Sequence, residues 1–184
     1  SVLINPMSQD LGWNRSTIVG VLTVSSVTSA LISPLLGPLV DRYGARLFVT
    51  IGAVVAGVFT MGTALVSTPW AYYVVFGMAA GLARPLLATL GPNAAVANWF
   101  IRKRGRAYAM VTIGSPVSGF VLPPLIAWIV IVGGWRWAWV FLGALELFIL
   151  APLAWIFLRR RPEDIGLLPD GAKPLAEPGI EEQK

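Results

Sequence analysis

The chain has 184 residues, 56% of them hydrophobic and 12% charged, with a mean hydropathy of +0.72, which is more apolar surface than the core of one soluble domain can bury. Its formal net charge is +5, but the basic residues stand in short clusters beside apolar runs, so the charge reads as membrane topology and not as affinity for nucleic acid. Cysteine and histidine are absent, which excludes disulfides, thiolate metal sites and imidazole chemistry; acidic residues scattered singly do not assemble the acid–base pair of an enzyme, and no metal or cofactor is expected.

Ser1 to Pro6 is apolar but too short to cross a bilayer, and it lacks the basic-then-apolar order of a signal peptide; it reads as the tail of a truncated first helix. Five charge-poor stretches follow, at residues 18–36, 47–66, 71–98, 108–132 and 137–158, each long enough for a hydrocarbon layer of about 30 Å. The expected fold is all-α, a polytopic integral membrane protein. Residues 1–158 form its transmembrane bundle, and residues 159–184, rich in Gly, Pro and Glu, form a solvated linker.

In the first full span Ser25, Ser29, Ser33 and Gly37 recur every four residues and place small side chains on one helix face. Lipid tails are as apolar as leucine, so helices associate through close packing and interhelical hydrogen bonds, which small faces supply. Weaker pairs of this kind are Gly52 with Ala56, Ala53 with Gly57, Gly77 with Gly81, Gly114 with Ser118, and Ser115 with Gly119. Pro85, Pro92, Pro116, Pro123, Pro124 and Pro152 interrupt the later spans. Each removes a backbone donor, so these helices are expected to bend around a pathway or around a kink filled by a neighbour.

Arg42, Arg46, Arg102, Lys103, Arg104, Arg106, Arg159, Arg160 and Arg161 fall on one side of this arrangement, and only Arg15 and Arg136 on the other. The positive-inside rule places the first group, and the C-terminal tail, in the cytoplasm. Trp13, Trp70, Tyr72, Tyr73, Trp135 and Trp137 at the outer ends, with Trp99, Phe100 and Trp155 at the inner ends, are expected to form aromatic belts at headgroup depth.

Two charges stand at mid-span, Arg84 directly before Pro85 and Glu146 in the last span. A central Arg costs about 2.5–3.5 kcal/mol on insertion scales, so it turns toward a partner or a watery cavity. Arg84 and Glu146 either form an ion pair that ties two helices, or leave Arg84 free to attract an anion. Asn93, Thr112 and Ser115 either line the same path or satisfy local backbone carbonyls.

Gly37 to Arg46 (Gly-Pro-Leu-Val-Asp-Arg-Tyr-Gly-Ala-Arg) is a charged, glycine-punctuated hairpin between two apolar spans. Asp41 can face a helix N-terminus while Arg42 and Arg46 pair with carboxylates or helix C-termini, a latch that exists in one conformation and breaks in another. A tight polar turn is the plainer alternative. The spacing Gly37, Asp41, Arg42, Gly44, Arg46 resembles the loop between the second and third helices of the major facilitator superfamily, with Ala45 where that pattern has a basic residue. Asn98 to Ala107, Gly12 to Ser16 and Arg161 to Gly171 are similar to segments of its monocarboxylate and oxalate/formate-type porters.

The resemblance implies the N-terminal half of a twelve-helix facilitator, missing its C-terminal six-helix half. Such a protein moves a small organic anion of monocarboxylate type by alternating access, with proton or anion coupling. The hairpin would hold the two halves together when the cavity faces outward, Arg84 would stand on a cavity-lining fourth helix, and Glu146 on a peripheral sixth. The partners are then the anion, the lipid bilayer and the second half, with no nucleic acid, and the location is a cell membrane, taken as a bacterial inner membrane. The alternative is a non-transporting membrane interaction or assembly subunit.

Overall fold

The structure is a computed structural model that describes residues 2–158, apart from the side chains of Met78, Ala79 and Ser115; the expected linker at 159–184, with Arg159, Arg160 and Arg161, lies outside the described residues. Among the described residues there is no strand. A short helix, α1 (Ile4–Leu11), precedes five helices long and apolar enough to cross a membrane: α2 (Arg15–Tyr43), α3 (Ala45–Leu65), α4 (Pro69–Trp99), α5 (Arg104–Gly133) and α6 (Trp135–Phe157). All five expected spans are present, and the chain is a multi-pass membrane protein. One end of the bundle gathers Arg42, Arg46 and residues 102–106; Trp70, Trp135 and Arg136 belong to the opposite end.

The Gly37 to Arg46 segment is not the loop its charges suggest. α2 stays helical to Tyr43, α3 begins at Ala45, and Gly44 alone stands between them at φ 92° and ψ 152°. Charge marks where hydrocarbon ends, not where helical hydrogen bonding ends. At about 1.5 Å per residue the 29 residues of α2 reach about 43 Å, well past a layer of about 30 Å. Positive φ is cheap only for glycine, which fixes the turn at Gly44. Gly134, at φ 84°, is likewise the single residue between α5 and α6 at the opposite end. The chain thus holds two long hairpins of opposite sense, the pattern of an inverted repeat.

α3 is the central helix and packs on α2, α4 and α6. Its small face is used as expected, with Gly52, Ala53, Ala56 and Gly57 all buried. A Cβ added to Gly57 would stand 2.7 Å from Leu147 Cβ and 2.8 Å from the Gly143 carbonyl oxygen, so α3 and α6 cross glycine on glycine. α4 meets α2 through Gly77, against Val21 and Val24, and Gly81, against Thr28. The serine row of α2 contributes less than expected. Ser25 is buried, but its hydroxyl donates to the Leu22 carbonyl at 3.0 Å; Ser33 donates to Ser29 at 2.6 Å, and Gly37 faces open space. A helical serine has an acceptor one turn back, so these hydroxyls serve their own helix.

Prolines mark the backbone of α4 and α6. Just ahead of Pro92 and Pro152 the helix widens to π turns at Pro85–Leu90 and Leu145–Leu150, where the N–H of Gly91 reaches back to the Leu86 oxygen and that of Ala151 to the Glu146 oxygen. A proline offers no N–H to continue the ladder, and the bonds before it step back by five residues instead of four. In α5, by contrast, Pro116, Pro123 and Pro124 lie within an unbroken α-helix. No described residue of α5 is buried, and the space beside Gly114 and Gly119 is open, so the small-residue pairs expected there close no contact.

At the end away from Gly44, Met7, Ile18, Val21, Ala64, Val66, Tyr72, Trp135 and Trp139 form a buried cluster. Tyr72 and Trp135 are therefore core residues and not the belt their positions suggest, whereas Trp70 and Trp137 are exposed as a belt requires. The buried rings find partners: Tyr72 stacks on Phe76 at 5.7 Å, and the Trp135 indole N–H donates to Asp10 at 2.9 Å. Asp10 also pairs with Arg136 at 3.7 Å, whose Nε donates to the Ala64 carbonyl at 3.2 Å, tying α1, α3 and α6 together at that end.

Candidate functional site

A cavity of about 290 Å³ lies between α2, α3, α4 and α6, and both mid-span charges line it. Arg84 comes from α4 and Glu146 from α6; Ser25 of α2 and Thr60 of α3 are the other polar side chains, and the remaining wall is apolar, including Leu22, Phe76 and Leu87. Arg84 is exposed and Glu146 half-buried. The peripheral position that the resemblance gives the sixth helix does not keep Glu146 out of the cavity, because the α3–α6 crossing at Gly57 and Gly143 is tight and each polar residue lies one turn beyond its glycine. That crossing brings the Thr60 hydroxyl to donate to Glu146 Oε2 at 3.0 Å.

Arg84 and Glu146 share the cavity without forming an ion pair. Among the described residues Arg84 has neither a hydrogen bond nor an ion pair. The site is thus, among the described residues, a guanidinium without a partner and a carboxylate held by one neutral donor, in a cavity whose wall is otherwise largely apolar. In such surroundings a fixed cation attracts anions far more strongly than in bulk solvent.

Other expected residues do not join it. Asn93 is exposed on the last third of α4, where its carbonyl accepts from the Tyr108 hydroxyl at 3.4 Å. Thr112 is exposed on α5 and donates to the Tyr108 carbonyl at 2.8 Å, the local use that any helical threonine has open to it. The side chain of Ser115 lies outside the described residues. Thr60 is the residue that sequence reasoning passed over. Its signal was the small face Ala53, Gly57 running on to residue 60, opposite Glu146 three residues past Gly143.

Of the hairpin residues, Asp41 is exposed in the last turn of α2 and caps no helix: α3 starts at Ala45, and its N-cap, Gly44, brings no side-chain cap. The Arg42 guanidinium lies 5.5 Å from the centre of the Tyr43 ring. Arg46 stacks on Trp155 of α6 at 4.2 Å, its buried Nε lacking a hydrogen-bond partner among the described residues. In the basic segment after α4, Arg104 donates to the carbonyls of Phe100 at 2.7 Å and Ala97 at 3.1 Å, closing the helix end, while Arg102, Lys103 and Arg106 are exposed.

Five crossing helices, four of them in two opposite-sense hairpins, around a mid-depth cavity lined by Arg84 and Glu146 define half of a facilitator-type bundle. The chain belongs to the Major Facilitator Superfamily, which it matches over residues 1–180. Among its relatives, a galacturonate transporter of Dickeya chrysanthemi is 27% identical over 145 residues, covering 78% of this chain and 41% of that protein. A hexuronate transporter of Escherichia coli K12 is 28% identical over 159 residues, 86% of this chain and 36% of the relative. The membrane sensor protein UhpC of Salmonella typhimurium is 29% identical over 161 residues, 85% and 35% of the two chains. The chain spans well under half the length of each of these relatives.

Proposed function

We propose that this chain is the N-terminal half of a secondary active transporter that moves a small carboxylate-bearing anion by alternating access, with Arg84 as the cation that meets the carboxylate. The observation that carries this reading is Arg84, without a partner among the described residues, in a largely apolar cavity at mid-span. The resemblance suggests a monocarboxylate; galacturonate and hexuronate, named in the relatives, are sugars bearing one carboxylate, and the same guanidinium chemistry suits both. Residues 1–158 would form the first bundle and 159–184 the linker to a six-helix second half. The basic end would face the cytoplasm of a bacterial inner membrane. Gly37, Asp41, Arg42, Gly44 and Arg46 would act as the latch between halves, with the exposed Asp41 reaching across and Arg46 anchored on Trp155.

The test is uptake of labelled galacturonate and of lactate by proteoliposomes carrying the chain alone and together with a matching C-terminal half. Uptake that requires the second half supports the reading, and Arg84→Gln should lower it at least about tenfold, the loss of a charge-assisted hydrogen bond of about 1.5–3 kcal/mol. No uptake in either arrangement overturns it in favour of a non-transporting subunit, a reading favoured by the relative named as a membrane sensor protein.

A further inference from the structure

We infer that the stretch Ile165 to Leu168, beyond the end of α6, folds back and seats its aliphatic side chains in a cavity at the basic end of the bundle. That cavity, of about 240 Å³, lies between the ends of α4 and α6 and is lined by Ala95, Val96, Trp99, Phe100, Phe157 and Leu158. Its wall is aliphatic and aromatic, yet it stands level with charge: Arg104 donates to the carbonyls of Phe100 and Ala97, and residues 102–106 hold four basic side chains. Phe157, in that wall, is 74% exposed. At this depth the neighbours are headgroups and water, against which bare aromatic surface is unfavourable.

The chain supplies an occupant at the right place. α6 stops at Phe157 and Leu158 turns to extended backbone, at φ −73° and ψ 124°, so the chain leaves the helix axis at the cavity wall. Six residues, 159–164, then separate Leu158 from Ile165, a reach of at most about 25 Å. Over so short a tether the effective concentration is of millimolar order, and weak contacts suffice. Ile165, Leu167 and Leu168 are three aliphatic residues among four, set between Pro162, Glu163 and Asp164 on one side and Pro169, Asp170 and Gly171 on the other. A segment that only spans water needs no such run. The charges agree, because docking brings Glu163 and Asp164 toward the basic rim. The two other candidate occupants fit less well. A lipid chain would have to lie level with its own headgroups, and a second copy of the chain would press one basic rim against another. With Ile165 to Leu168 docked, the free part of the linker begins at Pro169 and not at Arg159.

The chain has no cysteine, so a disulfide can report the contact in the full chain in lipid nanodiscs. Ala95→Cys with Leu168→Cys should close an intramolecular bond under mild oxidation, and adding Ile165→Ser and Leu167→Ser should slow closure at least about tenfold at unchanged tether length. Hydrogen exchange gives an independent reading: amides 165–168 should exchange more slowly in the cysteine-free chain than in its Ile165→Ser, Leu167→Ser variant. Closure at equal rates with and without the serines, together with exchange at 165–168 as fast as in a free peptide, leaves the cavity to lipid and overturns the inference. Disulfides formed mainly between chains assign it to a second copy and overturn the inference equally.

Discussion

Three threonines of this chain spend their hydroxyl on the preceding turn: Thr50 on Arg46, Thr63 on Phe59, Thr112 on Tyr108. Thr60 crosses to α6 instead, and the glycines beside it explain why. Any side chain at Gly57 meets Leu147 and the Gly143 carbonyl, and any at Gly143 meets Met61 and Gly57. Alanine at either position should therefore cost about 1–3 kcal/mol through overpacking, seen as a lower midpoint of unfolding in detergent. Alanine at Gly114 or Gly119, which face open space, should gain up to about 0.5–1 kcal/mol from reduced chain entropy under the same measurement. Equal losses at all four positions would contradict the packing described. Arg84 and Glu146 were legible in the sequence because charge in an apolar run is rare and costly. Thr60 was not, since nothing in a threonine's local sequence says whether its hydroxyl turns home or across.

At the scale of helices, apolar runs located all five spans, because a hydrocarbon layer imposes one length on every crossing segment. What they missed was how far a helix persists beyond that layer. α2 carries Pro34, Pro38, Asp41 and Arg42 inside its helical bounds, and the expected latch loop reduces to Gly44. Alanine at Gly44 would have to hold φ near 92°, at a cost of about 1–2 kcal/mol. Hydrogen exchange at the last turn of α2 and the first of α3 should rise in Gly44→Ala and stay unchanged in Gly37→Ala, which meets nothing within 4 Å. The aromatic residues show a related blind spot. Depth in the membrane was readable for Tyr72 and Trp135, but which way each ring faces depends on α1 and α6 meeting there.

For the molecule as a whole, the segregation of basic residues is a feature of sequence, and its meaning for orientation can be read directly. The chain has no cysteine, so single cysteines introduced at Arg104 and at Trp70, both exposed, report one face each. An impermeant thiol reagent added to intact cells should label the Trp70 site and spare the Arg104 site; the reverse pattern would invert the proposed topology. One residue separates α2 from α3, and one separates α5 from α6. Inside either pair the polar residues belong to the helix ends, and no irregular linker lets one arm drift from the other. Each pair has to leave the insertion machinery as a preformed pin, its polar bend staying on one side while both arms slide into lipid together. Synthesis of this chain therefore commits α2 with α3, and α5 with α6, to the bilayer as pairs, with α4 alone between them.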